Sequence, residues 1–319
     1  MPNTLTQREL HVGDAAAVTE ILAAMQRVEP VDEVYGEQDV IEEMTAPGVD
    51  LERTSIGIVN DDQLVAFGWL RVSPPSPAWK AQQLAGVHPD YVGRGIGRLI
   101  LRELESKAVA VRDMEAPGLP GELKIWLDPE RPRTVALVAA AGYETWRYFF
   151  RMRCDLHNPV PAVPVPADVV IRRFRPSDDE AVRLVSNASF ADHWGSTPMD
   201  RERWRADYAD SSSFRPEQSW VALLDGEVVA FVLTSEFEAE SRERGYPTGY
   251  IARVGTTRGA RGRGIAGALL ARTLGGLTQA GYRYAELGVD ADSQTGAGRL
   301  YERVGFVTTG RNPVAGKRF

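Results

Sequence analysis

Short runs in which apolar and polar residues alternate, separated by turn residues and by longer stretches of helical period, recur in the same order twice along the chain. Each half opens with a short strand, residues 9–12 and 170–174. An acidic turn follows, at Asp14 or at Asp178-Asp179, where the carboxylates suit the start of the helical pattern that comes next. A hairpin comes after: residues 55–59, the turn Asn60-Asp61-Asp62 and residues 64–72 in the first half; residues 220–224, the turn Asp225-Gly226 and residues 228–234 in the second. Both returning strands contain Val-Ala-Phe. Phe67 matches Phe231 at an offset of 231 − 67 = 164, Gly142-Tyr143 matches Gly305-Phe306 at 305 − 142 = 163, and the glycine-rich segments between them at 264 − 95 = 169. This spacing predicts the duplication of one α/β unit.

The clearest boundary is Asn158-Pro-Val-Pro-Ala-Val-Pro-Val-Pro166, where four prolines in nine residues favour an extended, semi-rigid spacer. The expected organisation is an N-terminal domain over residues 1–157, a spacer over 158–166 and a C-terminal domain over 167–319. A length of 319 residues suits two domains, and 43% hydrophobic with 25% charged residues is an ordinary globular composition. The first ten residues lack the apolar core of a signal peptide, and no apolar run reaches the ~18 residues needed to span a bilayer, so a cytoplasmic protein without a membrane partner is expected. The single cysteine, Cys154, allows no internal disulfide. A net charge of −7 argues against a nucleic-acid or anionic-membrane binder and makes a cationic partner easier. The four histidines show no metal-ligand spacing, so no metal is expected.

Chemistry concentrates in the second half. A strand over residues 250–256 runs through Thr257-Arg-Gly-Ala into Arg261-Gly262-Arg263-Gly264-Ile265-Ala266, and an amphipathic helical pattern continues to about residue 280. Glycines let a backbone approach a ligand closely, and a helix start offers unpaired N–H groups and a positive dipole end, which together suit a pyrophosphate. Arg258, Arg261 and Arg263 add charge for further phosphates. The segment lacks a P-loop lysine and the spacing of a dinucleotide-binding turn.

Arg261, Gly264 and Ala266 match the Arg/Gln-x-x-Gly-x-Gly/Ala cofactor motif of the GNAT superfamily, which the chain resembles in both halves. In the first half Val87-His-Pro-Asp-Tyr-Val-Gly93-Arg94-Gly95-Ile96-Gly97 is similar, with Val92 where the family has Arg or Gln. The resemblance implies two α/β (α+β) domains, each a mixed, largely antiparallel sheet with flanking helices and splayed parallel fourth and fifth strands. It also implies acetyl-CoA as cofactor, with Val254, Gly255 and Thr256 along the pantetheine arm. Leu300-Tyr-Glu-Arg-Val-Gly-Phe306 resembles the family's closing signature, whose tyrosine acts as general acid near the sulfur; Tyr301 matches it. Such a donor is useful because an amine attacking a thioester expels a thiolate. Ser293 stands where the family has an asparagine, and in the first half Val138 faces Tyr301, so that half lacks the usual acid.

For the general base, Glu236, Glu238 and Glu286 are candidates, each also readable as an ordinary solvated carboxylate, and the proton can alternatively leave through water. Acceptor pockets in this superfamily are lined by the first helices, which implicates Asp192, His193 and Trp194. The alternative is that Trp194 and Trp204 face the core and His193 satisfies a turn. The acidic stretch from Glu29 to Glu43 is compatible with a solvated helix face. The expectation is an N-acetyltransferase for a small-molecule amine, catalytic in its C-terminal domain, as a monomer or homodimer. Mycothiol synthase-like acetylation of an amino-sugar thiol precursor is an alternative, although Tyr250 stands where that group's strand-four glutamate is placed. A non-catalytic acyl-CoA sensor is the other.

Overall fold

The computed structural model describes residues 5–75, 77–191, 193–293 and 296–319. The chain divides into two compact units, Met1–Tyr148 with Asn312–Phe319, and Phe149–Arg311.

The first unit runs β1 (Thr6–Arg8), α1 (Ala15–Val28), α2 (Glu37–Thr45), α3 (Leu51–Thr54), β2 (Ser55–Asn60), β3 (Gln63–Ser73), β4 (Trp79–Val87), α4 (Ile96–Glu115), β5 (Gly121–Trp126), α5 (Pro132–Ala140) and the start of β6 (Glu144–Asp155). Strands β1 to β4 pair antiparallel in sequence order, and β4 lies parallel to β5. That parallel pairing spans only residues 79–82 against 121–124, beyond which β4 bonds β3 alone. The two strands part there. On one sheet face Leu70 and Trp79 pack with Ile100 and Leu104 of α4, and on the other Phe67 and Trp69 pack with Val18 and Ile21 of α1 and Met44 of α2. The tight β2–β3 turn places Asp61 and Asp62 at φ 46° and 66°, the left-handed pair that matches strand twist.

The second unit runs from the end of β6 through β7 (Val169–Arg173), α6 (Asp179–Ser189), α7 (Arg201–Trp204) with a π-helical continuation (Arg205–Ala209), β8 (Trp220–Leu224), β9 (Glu227–Ser235), α8 (Glu238–Arg244), β10 (Thr248–Thr256), α9 (Ile265–Gln279), β11 (Tyr284–Asp290), α10 (Ala297–Arg303) and the start of β12 (Val307–Arg318). Strands β7 to β10 are antiparallel in order, and β10 lies parallel to β11 only through Thr248–Tyr250 against Tyr284–Glu286. The splay expected from the resemblance is thus present in both units.

The division falls inside β6 and β12, away from the proline-rich segment. Residues 149–155 pair with β11 in the second unit, and residues 314–318 pair with β5 in the first. The prolines still keep their segment out of strands and helices, but it is no free spacer: Val160, Val163 and Val165 pack on the core of the second unit. The first strand also lies earlier than residues 9–12, because the Leu10 amide bonds the Ser55 hydroxyl at 2.8 Å and the chain turns into Asp14. Duplication extends to this turn. Arg8 grips buried Asp14 with two hydrogen bonds, 2.8 and 2.6 Å, and the His11 amide donates to the same carboxylate; Arg172, Asp178 and the Arg175 amide repeat the arrangement.

Candidate active site

At the start of α9, Gly264 has φ 81° and Gly262 φ 76°, and a Cβ at either would meet nothing within 4 Å. These positions are glycine because of the backbone conformation, and the space over them is open. Ile265 is buried beneath, so it anchors the helix while its backbone faces the turn. Arg261 donates through Nη2 to the Ser189 carbonyl at 2.9 Å, fastening the turn to α6, and Arg263 pairs with Asp168. The donor-rich turn, the open glycine positions and the flanking guanidinium groups fit a CoA pyrophosphate. Gly255 has a different role: a Cβ there would stand 2.5 Å from Cε1 of Phe231, its partner on β9. It is a packing glycine, and Gly86 against Phe67 repeats it in the first unit. Val254 packs on the α9 side of the sheet and Thr256 is half-buried at the strand end.

The first unit builds a similar turn. Gly93 and Gly95 have φ 84° and 81° with open space above, Ile96 is buried, and Arg94 donates to the Asp90 carbonyl. A Cβ on Gly97 would lie 2.8 Å from Leu137, so that glycine serves the contact of α4 with α5. Val87 packs against the core and Val92 is exposed.

Tyr301 lies on α10 with its ring edge-on to Phe306, 5.9 Å between centroids. Its hydroxyl has no hydrogen-bond partner among the described residues, and burial pushes its pKa up to about 12. A phenol in this environment keeps its proton at neutral pH and is available as a hydrogen-bond donor. Val138, at the matching place in the first unit, is fully buried and apolar. Ser293 lies in the turn after β11, its amide bonded to the Asp290 carbonyl at 3.1 Å.

None of the three glutamates is a lone carboxylate. Glu236 accepts from Tyr282 at 2.7 Å and from Arg215 at 3.3 Å, and Glu238 accepts from Arg215 at 3.1 Å. Glu286 accepts from Arg153 at 2.5 Å and from Arg244 at 3.1 Å. It is the parallel partner of Tyr250.

Facing α6, β10 carries a feature absent from β4: its register with β9 shifts between Ile251 and Arg253, a β-bulge at Ala252, whereas β4 pairs with β3 without a break. Ile251 packs on the α9 side, so Tyr250 points to the α6 side. The extra residue returns Arg253 to that same side, where it donates to Ser186. The bulge and the longer β9–β10 connection carrying α8 explain why the 164-residue offset becomes 169. Only one of the five extra residues is the bulge and four lie in the connection, so the jump is a trace of the bulge in the sequence that does not locate it. Around Arg253 stand Phe190, Tyr208 and Ser186, which the sequence did not single out. His193 packs edge-on to Phe190 at 5.5 Å, and its Nδ1 is 3.0 Å from the Trp194 carbonyl. Trp194 is half-buried, and Trp204 is a core anchor, its Nε1 donating to Asp179 at 2.7 Å. Asp192 lies outside the described residues.

Residues 180–306 match the acetyltransferase (GNAT) family. A mycothiol acetyltransferase of Thermobispora bispora is 32% identical over 254 residues, 78% of each chain, and that of Acidothermus cellulolyticus is 30% identical over 259 residues, 78% of this chain and 75% of the relative. Among solved structures, the GCN5-related N-acetyltransferase from Sphaerobacter thermophilus aligns over 100% of this chain and 96% of its own, at TM-score 0.75 and 26% identity. A tandem GNAT protein from the clavulanic acid biosynthesis pathway shares the fold over 99% and 98%, at TM-score 0.70 and 17% identity. The chain is an acyltransferase of the GNAT family, in its tandem form and related to the mycothiol acetyltransferases.

Proposed function

We propose that this protein transfers an acetyl group from acetyl-CoA directly to the primary amine of a small molecule, and that the second unit is the catalytic one. The observation that carries the reading is the bulged, splayed β10, which in this unit alone stands together with Tyr301. The turn from Arg261 to Ala266 and the first amides of α9 hold the pyrophosphate. Backbone groups of residues 254–256, unpaired on the β11 side, take the pantetheine arm. Tyr301 donates its proton to the departing thiolate as the new C–N bond forms and the C–S bond breaks. All three glutamates are held by arginines, and it is position that favours Glu286: as the parallel partner of Tyr250 it stands where it can receive the amine proton through water. The first unit keeps the turn but not the hydroxyl, and serves as a scaffold that at most binds CoA.

Relatives named mycothiol acetyltransferase support a second reading, acetylation of an amino-sugar thiol precursor. Tyr250 in place of a carboxylate weighs against it. The experiment is a panel of polyamines, aminoglycosides, amino acids, amino sugars and a cysteinyl amino sugar, followed by CoA release with acetyl-CoA and by mass of the product. Amine-dependent release with an N-acetyl product is expected; release no faster than thioester hydrolysis with every amine would overturn the reading.

A further inference from the structure

Arg253 lacks the partner that a half-buried guanidinium ordinarily has. Its Nε donates to Ser186 Oγ at 2.7 Å and its Nη1 to the Tyr208 hydroxyl at 3.1 Å, and its Cζ lies 3.9 Å from the centroid of the Phe190 ring. All three partners are neutral. Among the described residues no carboxylate pairs with it, and both hydrogens of Nη2 and one of Nη1 have no protein acceptor. Other half-buried arginines of this unit are paired: Arg153 and Arg244 with Glu286, Arg172 with Asp178, Arg215 with Glu236. Packing does not require this cation either, since Leu84, at the same strand position in the first unit, joins the apolar cluster under α1. The hydroxyls of Ser186 and Tyr208 and the face of Phe190 hold the guanidinium flat and fixed, an arrangement suited to two parallel hydrogen bonds to a carboxylate.

We infer that Arg253 is the anchor for the acceptor, and that the amine substrate also carries a carboxylate, as an amino acid or amino-acid-like acid does. The inference rests on the amine-acceptor reading and narrows it. The bulge at Ala252 is what brings the anchor to the face of Tyr250, so the acceptor is held on the side of the sheet from which its amine approaches the splay. A chain of net charge −7 favours cations in general, but at this place the local positive charge decides.

The test compares kcat/KM of the full chain, with acetyl-CoA, for three matched series: leucine, leucinamide and isoamylamine; phenylalanine, phenylalaninamide and phenethylamine; methionine, methioninamide and 3-(methylthio)propylamine. The acid is expected to be favoured over its amide by about 10- to 100-fold, the contribution of hydrogen bonds to a charged group. Arg253→Leu should bring that ratio close to one, and Arg253→Lys, which keeps the charge but not the fork, should retain part of it. Should Arg253→Leu fail to fold, the native ratio and the lysine variant still decide. Amides or plain amines used as well as the acids by the native protein, or a ratio unchanged in Arg253→Leu, would overturn the inference and leave the acetyltransferase reading standing. No acetylation in any series or in the broader amine panel would remove both.

Discussion

Two glycines on either side of one turn separate conformational need from packing need. Gly264 sits at φ 81° with open space around a Cβ, so alanine there introduces strain of about 1–2 kcal/mol and no clash. Gly255 has no such conformation, but a Cβ would press into Phe231 at 2.5 Å, and overpacking of that kind costs about 1–3 kcal/mol. Gly264→Ala is therefore expected to weaken acetyl-CoA binding, measured by calorimetry, well beyond its loss in Tm. Gly255→Ala should lower Tm with the smaller effect on binding. Equal losses of affinity in both would show that the turn conformation has no special part in holding the cofactor. The sequence presented both as glycines of one cofactor segment. It could not separate them, because the residue that demands Gly255 comes from the neighbouring strand. The same limit applied to Arg253, whose neighbours Ser186, Phe190 and Tyr208 arrive from α6 and the π-helical turn, and to Glu236 and Glu286, whose arginine partners lie on other elements.

At the scale of elements, local pattern was a good guide wherever an element answers to its own residues. The two hairpins are set by turn chemistry at Asp61-Asp62 and Asp225-Gly226, and α4 and α9 by an apolar stripe behind a glycine start. The exchange of strand ends in β6 and β12 was not legible, since nothing in an alternating segment says which distant edge it will join. The acidic turns were legible as helix starts but not as clasps. In the second unit, Arg172 holds the Asp178 carboxyl below the usual carboxylate range, against the opposing pull of burial. A lowered folded-state pKa means that the clasp stabilises fully above the unfolded value, about 3.9, and that this contribution is lost as pH falls through it towards the folded value. Asp178→Asn should therefore lower stability at pH 7 by about 1–3 kcal/mol, the worth of hydrogen bonds to a charged group. The deficit relative to the native protein should shrink on acidification below the unfolded value, about 3.9. Urea unfolding at both pH values measures it, and an unchanged midpoint at pH 7 would mean that the clasp contributes nothing.

The whole molecule contains its own control, because duplication set two copies of one unit side by side in the sequence and each diverged in a traceable way. Both units kept the splayed pair and a left-handed glycine at the helix start. The second alone has the bulge, Arg253 and the hydroxyl of buried Tyr301; the first has an unbroken strand, Leu84 and Val138 in their places. The proposal that turnover belongs to the second unit rests on these differences. On that proposal Tyr301→Phe removes the proton donor and keeps the ring, so turnover should fall by roughly 10²–10⁴-fold with acetyl-CoA affinity nearly unchanged. Because burial keeps the phenol protonated to about pH 12, the native pH–rate profile should show no basic limb from this group across the neutral and mildly alkaline range. In the first unit, Gly95→Trp forces a side chain onto a left-handed turn and fills the open space above it, which blocks any CoA there. Turnover should persist in that variant once circular dichroism has established that it folds. The opposite pattern, full activity in Tyr301→Phe and none in folded Gly95→Trp, would place the chemistry in the first unit. A small effect of Tyr301→Phe on steady-state turnover is resolved by single-turnover acetyl transfer, which isolates the chemical step from product release. A normal single-turnover rate would then exclude Tyr301 as the acid.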